Sequence, residues 1–135
     1  MRADRARSTL SGVLRPRLDA VYEAIERRAP GARVIVLGYP RMFAGTGCGA
    51  TPGVTSIERS KANRLADRLD RLTASRAKAF GFTYKSAIVR FTGHAICSPD
   101  AWLNGLDLGR VSESYHPNRK GQRAGYARLV RAVVG

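Results

Sequence analysis

The sequence predicts an α/β domain built on a mainly parallel sheet. Three observations carry that prediction. The patterns run helix, strand, loop, helix, strand, long loop, helix. The strand-type runs are short, apolar and rich in β-branched residues. Only two such runs occur, so the pattern reads as one end of a larger sheet whose other strands are missing. With 135 residues, of which 44% are apolar, the chain has the size and core material of one domain, taken as residues 1–135 without internal repeats.

The first helix rests on Leu10, Val13, Leu14, Leu18, Val21, Tyr22 and Ile25, which recur at spacings of three and four between about Thr9 and Arg28. Pro16 falls inside that stretch. Its missing N–H costs least in a first turn, so the helix is expected to begin at or just before Pro16. Pro30 and Gly31 end it. The run Ala32–Gly38 then has the pattern of a strand buried on both faces.

A loop rich in Gly and Pro extends from Tyr39 to Val54. The second helix is expected over Ser56–Ala79, with Ile57, Leu65, Leu69, Leu72 and Phe80 on its inner face. Ser86–Phe91 is the second strand candidate. A long irregular connection, Thr92–Arg119, carries both histidines, the only Trp and Cys97. The last helix is expected from about Lys120 to Val134, packing through Tyr126, Leu129, Val130 and Val133.

The charge balance is strongly basic: 24 Lys and Arg stand against 10 Asp and Glu, a formal net charge of +14. Such a charge attracts nucleic acid or anionic membrane at low salt whatever the protein's task. Many of the cations fall on polar faces of the expected helices (Arg64, Arg68, Arg71; Arg123, Arg128, Arg131), where solvated surface is the simpler reading. No stacking aromatics are interleaved with them, and no zinc-ligand cluster, helix-turn-helix pattern or ribonucleoprotein motif appears, so no specific nucleic-acid partner is expected. No apolar run is long enough for a transmembrane segment. Residues 1–7 are charged but lead into no apolar h-region, so no signal peptide is read there. Nothing in the sequence calls for a metal or an organic cofactor.

Gly45–Gly49 follows a strand and invites a phosphate-loop reading, but it lacks the Lys-Ser/Thr ending and Pro52 separates it from the next helix. A flexible loop is the better description. Cys48 and Cys97 lie in loops beyond the two expected strands. If those strands are neighbours, a disulfide is geometrically reasonable; two buried reduced thiols are the alternative. His94 reads as structural, its ring bonded to backbone in a tight loop. His116 differs, because Glu113 precedes it by three residues. A carboxylate at that spacing in a turn can orient an imidazole and stabilise its protonated form, as the base of a nucleophile requires. A surface histidine is the default for such a motif taken by itself.

Taken together, Val34–Phe43, Gly47–Gly49, Gly93–Cys97, Trp102–Asn104 and Glu113–Asn118 resemble the C-terminal half of the SGNH, or GDSL-type, hydrolases, above all the secreted bacterial esterases and lipases. The resemblance covers nearly the whole chain. It implies a three-layer α/β/α, flavodoxin-like fold and ester hydrolysis through an acyl-serine, with a carboxylic ester or lipid as substrate. The family's Asp-x-x-His block maps onto Glu113–His116, which makes His116 the general base and then acid. It puts Glu113, or else a backbone carbonyl, in the role of orienting the ring. It also implies a Cys48–Cys97 disulfide and, with it, a secreted protein.

The chain departs from the family at the nucleophile. The Gly-Asp-Ser block, the oxyanion glycine that follows it and the Gly-x-Asn-Asp block do not occur, and no Gly-x-Ser-x-Gly elbow replaces them. The expectation is therefore a truncated hydrolase domain whose isolated chain turns over little or no substrate, and which self-associates through its unpaired sheet edge and exposed apolar helix faces. The rival expectation is a non-catalytic basic binding protein, either a decayed hydrolase half or a nonspecific nucleic-acid binder.

Overall fold

The computed structural model describes residue 8 and residues 10–135. The charged stretch 1–7 and Thr9, read above, lie outside the described residues.

Two helices that pack on each other accompany a two-stranded parallel sheet, and a third closes the chain. A π-helical turn, Leu10–Leu14, leads directly into α1, Arg15–Arg28, with Pro16 in its first turn. Pro16 therefore sits where its missing N–H is tolerated, as expected. The buried residue of α1 is Tyr22, whose ring meets Phe80 at 5.5 Å and Phe82 at 5.3 Å between centroids, both edge-on. Val13 and Val21, assigned above to the inner stripe, are instead exposed.

β1 spans Ile35–Leu37 and β2 spans Thr83–Lys85, paired in parallel with Val36 opposite Tyr84. The first strand lies within the predicted run, but its residues are only half-buried rather than covered on both faces. The second corrects the sequence reading, because Ser86–Phe91 is a turn and the strand ends at Lys85. The Ser86 hydroxyl accepts the Ile88 N–H at 3.2 Å, and the Phe91 N–H donates to the Ala87 carbonyl at 3.0 Å, so the chain coils after Lys85. This coil buries Ala87 and Phe91 while leaving Val89 82% exposed, a pattern that a doubly covered strand would not give.

α2 spans Ser56–Ala79, the predicted bounds. Thr55 and Glu58 form a capping box: the Glu58 N–H donates to the Thr55 hydroxyl at 3.2 Å, and the Glu58 carboxylate accepts the Thr55 N–H at 2.9 Å. The inner face is narrower than expected. Ala77 is its buried residue, whereas Ile57 and Leu65 are exposed, because α1 and β2 engage α2 through residues such as Asp70, Arg76 and Ala77. Arg76 pairs with Asp19 of α1 at 2.6 Å. Asp70 accepts hydrogen bonds from Tyr84 and Ser86 and so ties α2 to the end of β2. Burial and the bond to Asp70 push the Tyr84 phenol well above its ordinary range. A Cβ at Gly38 would lie 2.1 Å from that phenol oxygen, which is why this end of β1 carries glycine.

The central core forms beyond the C-terminal ends of the strands, from Phe43, Ala87, Phe91, Ile96, Trp102 and Leu103. Phe91 meets Trp102 edge-on at 5.4 Å and Tyr126 at 5.3 Å. The last helical segment begins with a π-helical stretch, Gly121–Tyr126, and continues as α3, Ala127–Val134. Its two buried glycines allow close approach: a Cβ at Gly121 would meet the Trp102 carbonyl at 2.3 Å, and one at Gly125 the Phe91 ring at 2.5 Å. Among the described residues no helix is long and apolar enough to cross a membrane.

Candidate active site

Because β1 and β2 are parallel, the loops that follow them emerge at the same end of the sheet. There they are joined twice. Phe43 and Ile96 form a parallel bridge, with Ile96 N–H donating to Met42 O at 2.9 Å and Ala44 N–H to Ile96 O at 3.0 Å. Cys48 and Cys97 are disulfide-bonded, with 5.5 Å between their Cα atoms. The buried Thr51 hydroxyl donates to the Cys48 carbonyl at 3.1 Å and steadies the Gly-rich loop beside the bond. The two cysteines that the resemblance paired are thus a pair. His94 also lies here, stacked on Trp102 at 3.7 Å with Nδ1 at 2.9 Å from the Asp100 carbonyl, the structural role expected of it.

His116 is brought to this end by backbone rather than by its own side chain. Leu103 and Pro117 form an antiparallel bridge, and around it Asn104 N–H donates to His116 O at 2.9 Å and Asn118 N–H to Trp102 O at 2.9 Å. The Asn104 amide donates to the Glu113 carbonyl at 3.0 Å, so one side chain holds the turn that presents His116. Tyr115 takes a left-handed conformation, φ 63°, within that turn. Its carbonyl accepts the Tyr39 hydroxyl at 2.9 Å, and Tyr39 stands just past β1. Beyond Pro117, Asn118 accepts the Gly121 N–H at 2.9 Å and donates to the Ala101 carbonyl at 2.9 Å, which caps the last helical segment and anchors it to the Trp102 loop.

The result is an open cavity of about 370 Å³ bordered by Asn104, Arg110, Ser112, Glu113, His116 and Asn118. The His116 side is exposed, and among the described residues no hydrogen bond or ion pair engages its ring. The Glu113 carboxylate lies three positions from His116, but its partner is the Arg110 guanidinium at 3.3 Å, which also reaches Asp107 at 3.3 Å. Ser112 borders the same cavity, while the buried Ser114 is bonded to the Asp107 backbone. An exposed imidazole at the mouth of a cavity, on a backbone fixed from several sides, is suited to passing a proton to and from a bound group.

Asn104 and Tyr39 received no role from sequence, because they act through partners 9 and 76 positions away. Pro117 and Asn118, with Gly121 further on, have the sequence of a loop turning into a helix, which the Asn118–Gly121 bond matches, whereas the bond of Asn118 to Ala101, 17 positions away, had no local signal.

The family model of the GDSL-like lipase/acylhydrolase family matches residues 2–124. The chain is 42% identical to "Lipase 1" of Streptomyces coelicolor over 120 residues, which is 88% of this chain and 42% of that protein. It is 41% identical to a lipase of Streptomyces rimosus over 133 residues, 98% of this chain and 49% of that protein. The chain therefore spans about half the length of the curated relatives it matches. Among solved structures it is similar to the extracellular lipase of Streptomyces rimosus, with a TM-score of 0.87 at 38% identity over 95% of this chain and 54% of the other. It is similar also to phospholipase A1 of Streptomyces albidoflavus, with a TM-score of 0.86 at 39% identity over 93% of this chain and 52% of the other.

Proposed function

The chain belongs to the GDSL-like lipase/acylhydrolase family, and from that premise we propose that it supplies the histidine side of an ester-hydrolysing site. His116 is the general base. It takes the proton of a serine hydroxyl as that oxygen attacks the ester carbonyl, then returns it to the departing alcohol, leaving an acyl-serine. A water molecule, deprotonated by the same imidazole, attacks the acyl-serine and releases the acid. The serine and the oxyanion donors come from sequence outside these 135 residues, because the Gly-Asp-Ser and Gly-x-Asn-Asp blocks do not occur among them.

The observation that carries this reading is the exposed His116 imidazole at the cavity mouth, on a turn braced by Asn104 and Tyr39. Glu113 is assigned a positioning role, bracing that turn through Arg110. The substrate is a carboxylic ester or lipid, and the disulfide together with the extracellular relative supports secretion. The exposed apolar residues Val21, Ile57 and Leu65, beside a sheet of two strands, support self-association of the chain by itself. The test is hydrolysis of p-nitrophenyl butyrate by the 135-residue chain. The expected rate equals that of His116→Ala, since most of the barrier reduction depends on the serine and the oxyanion donors. Robust turnover that disappears in His116→Ala would demand a nucleophile within the chain.

A further inference from the structure

A concentration of positive charge lies beside the His116 cavity and shares Arg119 with it. A groove of about 570 Å³ runs along the last helical segment, bordered by Arg90, Arg119, Lys120, Arg123, Arg128 and Arg131, with Ala124 and Ala127 between them. We propose that this groove is a docking surface for anionic membrane, in which lipid phosphates are held by Arg119, Arg123, Arg128 and Arg131.

Two of the cations are already committed. The Arg90 fork donates twice to the Ala124 carbonyl, at 2.9 and 2.7 Å, and lies 5.5 Å from the Trp102 ring centroid. Lys120 is paired with Asp100. The other arginines are exposed, and among the described residues no carboxylate pairs with any of them. Like charges crowded along one helical face repel one another unless an anion lies between them, so the arrangement suits a ligand that brings several negative charges at once.

Membrane is favoured over nucleic acid by what surrounds the charge. No aromatic side chain borders the groove on which a base could stack. Instead, Val89, 82% exposed, immediately precedes Arg90, and Val134, 55% exposed, ends the helix that carries the arginines. Exposed apolar side chains close in the chain to the groove's cations suit the boundary between headgroups and acyl chains. Arg119 borders both this groove and the His116 cavity, so a docked surface would lie next to that cavity. The proposal does not depend on the ester-hydrolase reading, because binding needs no step at His116.

The test is co-sedimentation of the 135-residue chain with vesicles of phosphatidylglycerol mixed into phosphatidylcholine, against vesicles of phosphatidylcholine alone. Binding to the anionic vesicles alone is expected. Each surface arginine contributes roughly fivefold in such binding, so Arg123→Gln, Arg128→Gln and Arg131→Gln together should weaken it roughly a hundredfold. Replacing Arg15, Arg17 and Arg28 of α1 by Gln makes the same change in net charge, and should weaken it severalfold less. The matching triple Arg-to-Lys variant should retain binding and guards against a folding artefact in the Gln variant. Equal losses in the two Gln variants would overturn the proposal by reducing it to bulk charge. So would tighter binding of a DNA duplex through the same arginines, or release from the vesicles by millimolar inorganic phosphate, which would identify a small-anion site.

Discussion

Replacing both Cys48 and Cys97 by serine removes the one covalent tie between the loops that follow β1 and β2. The bond closes a loop with a sequence separation of 49, which in the chain-entropy treatment corresponds to about 4 kcal/mol of stability. With an unfolding entropy of roughly 2.1 cal/mol/K per residue, a chain of 135 residues should lose about 14 °C in Tm. The assay is thermal unfolding followed by circular dichroism, at equal protein concentration and without reductant. Treatment of the parent chain with dithiothreitol should reproduce the variant's melt. Hydrogen exchange adds a local readout: the Ala44 and Ile96 amides, bonded across the bridge beside the disulfide, should lose protection before those of the strands. A Tm within about 3 °C of the parent would mean that the closed loop restricts the unfolded chain far less than its length requires, contrary to this expectation.

Other outcomes follow from the same packing. Gly125→Ala puts a methyl group 2.5 Å from the Phe91 ring, and should cost about 1–3 kcal/mol in denaturant unfolding despite alanine's better helix propensity; an unchanged midpoint would contradict the close approach. Glu58 is held below the ordinary carboxylate range by its bonds with Thr55, Asp67 by the hydrogen bond from Arg41, and Asp100 by that from Lys120. A depressed folded pKa contributes stability above the unfolded value and loses it as pH falls through the folded one, so Tm should decline below about pH 4; Arg41→Gln should remove part of that decline. Sedimentation of the chain by itself should show its average mass rising with concentration, and a concentration-independent monomer would contradict the exposure of Val21, Ile57 and Leu65 as an association surface.

What was legible in the sequence was what local pattern decides. The bounds of α2 follow from sustained helical periodicity, and Thr55 and Glu58 fix its start by a contact between near neighbours. The second strand was misplaced because Ser86–Phe91 has the composition of a strand while serving as a coiled core turn. Over six residues, apolar content cannot distinguish the two, and the outcome depends on Ser86 bonding forward to Ile88 and back to Asp70. The helical faces were drawn too wide for a similar reason: periodicity marks which residues could be covered, and Ile57, Leu65 and Val21 have no described element over them. At the site, local context and the family pattern singled out His116, and the structure puts that residue at the cavity. The partner of Glu113 was not, because Arg110 and His116 stand at equal separations on either side of it and the path of the turn decides between them. Asn104 was invisible as a brace because its role depends on the register between Leu103 and Pro117.

The role proposed for His116 is that of the base in a serine-dependent ester hydrolase site. The most direct measurement joins this chain, in place of the corresponding carboxyl-terminal half, to the amino-terminal half of the Streptomyces rimosus lipase, and follows p-nitrophenyl butyrate hydrolysis with and without His116→Ala. An active chimera is expected, in which His116→Ala lowers kcat by about a hundredfold or more, while Glu113→Gln costs far less. An active chimera indifferent to His116→Ala would contradict it.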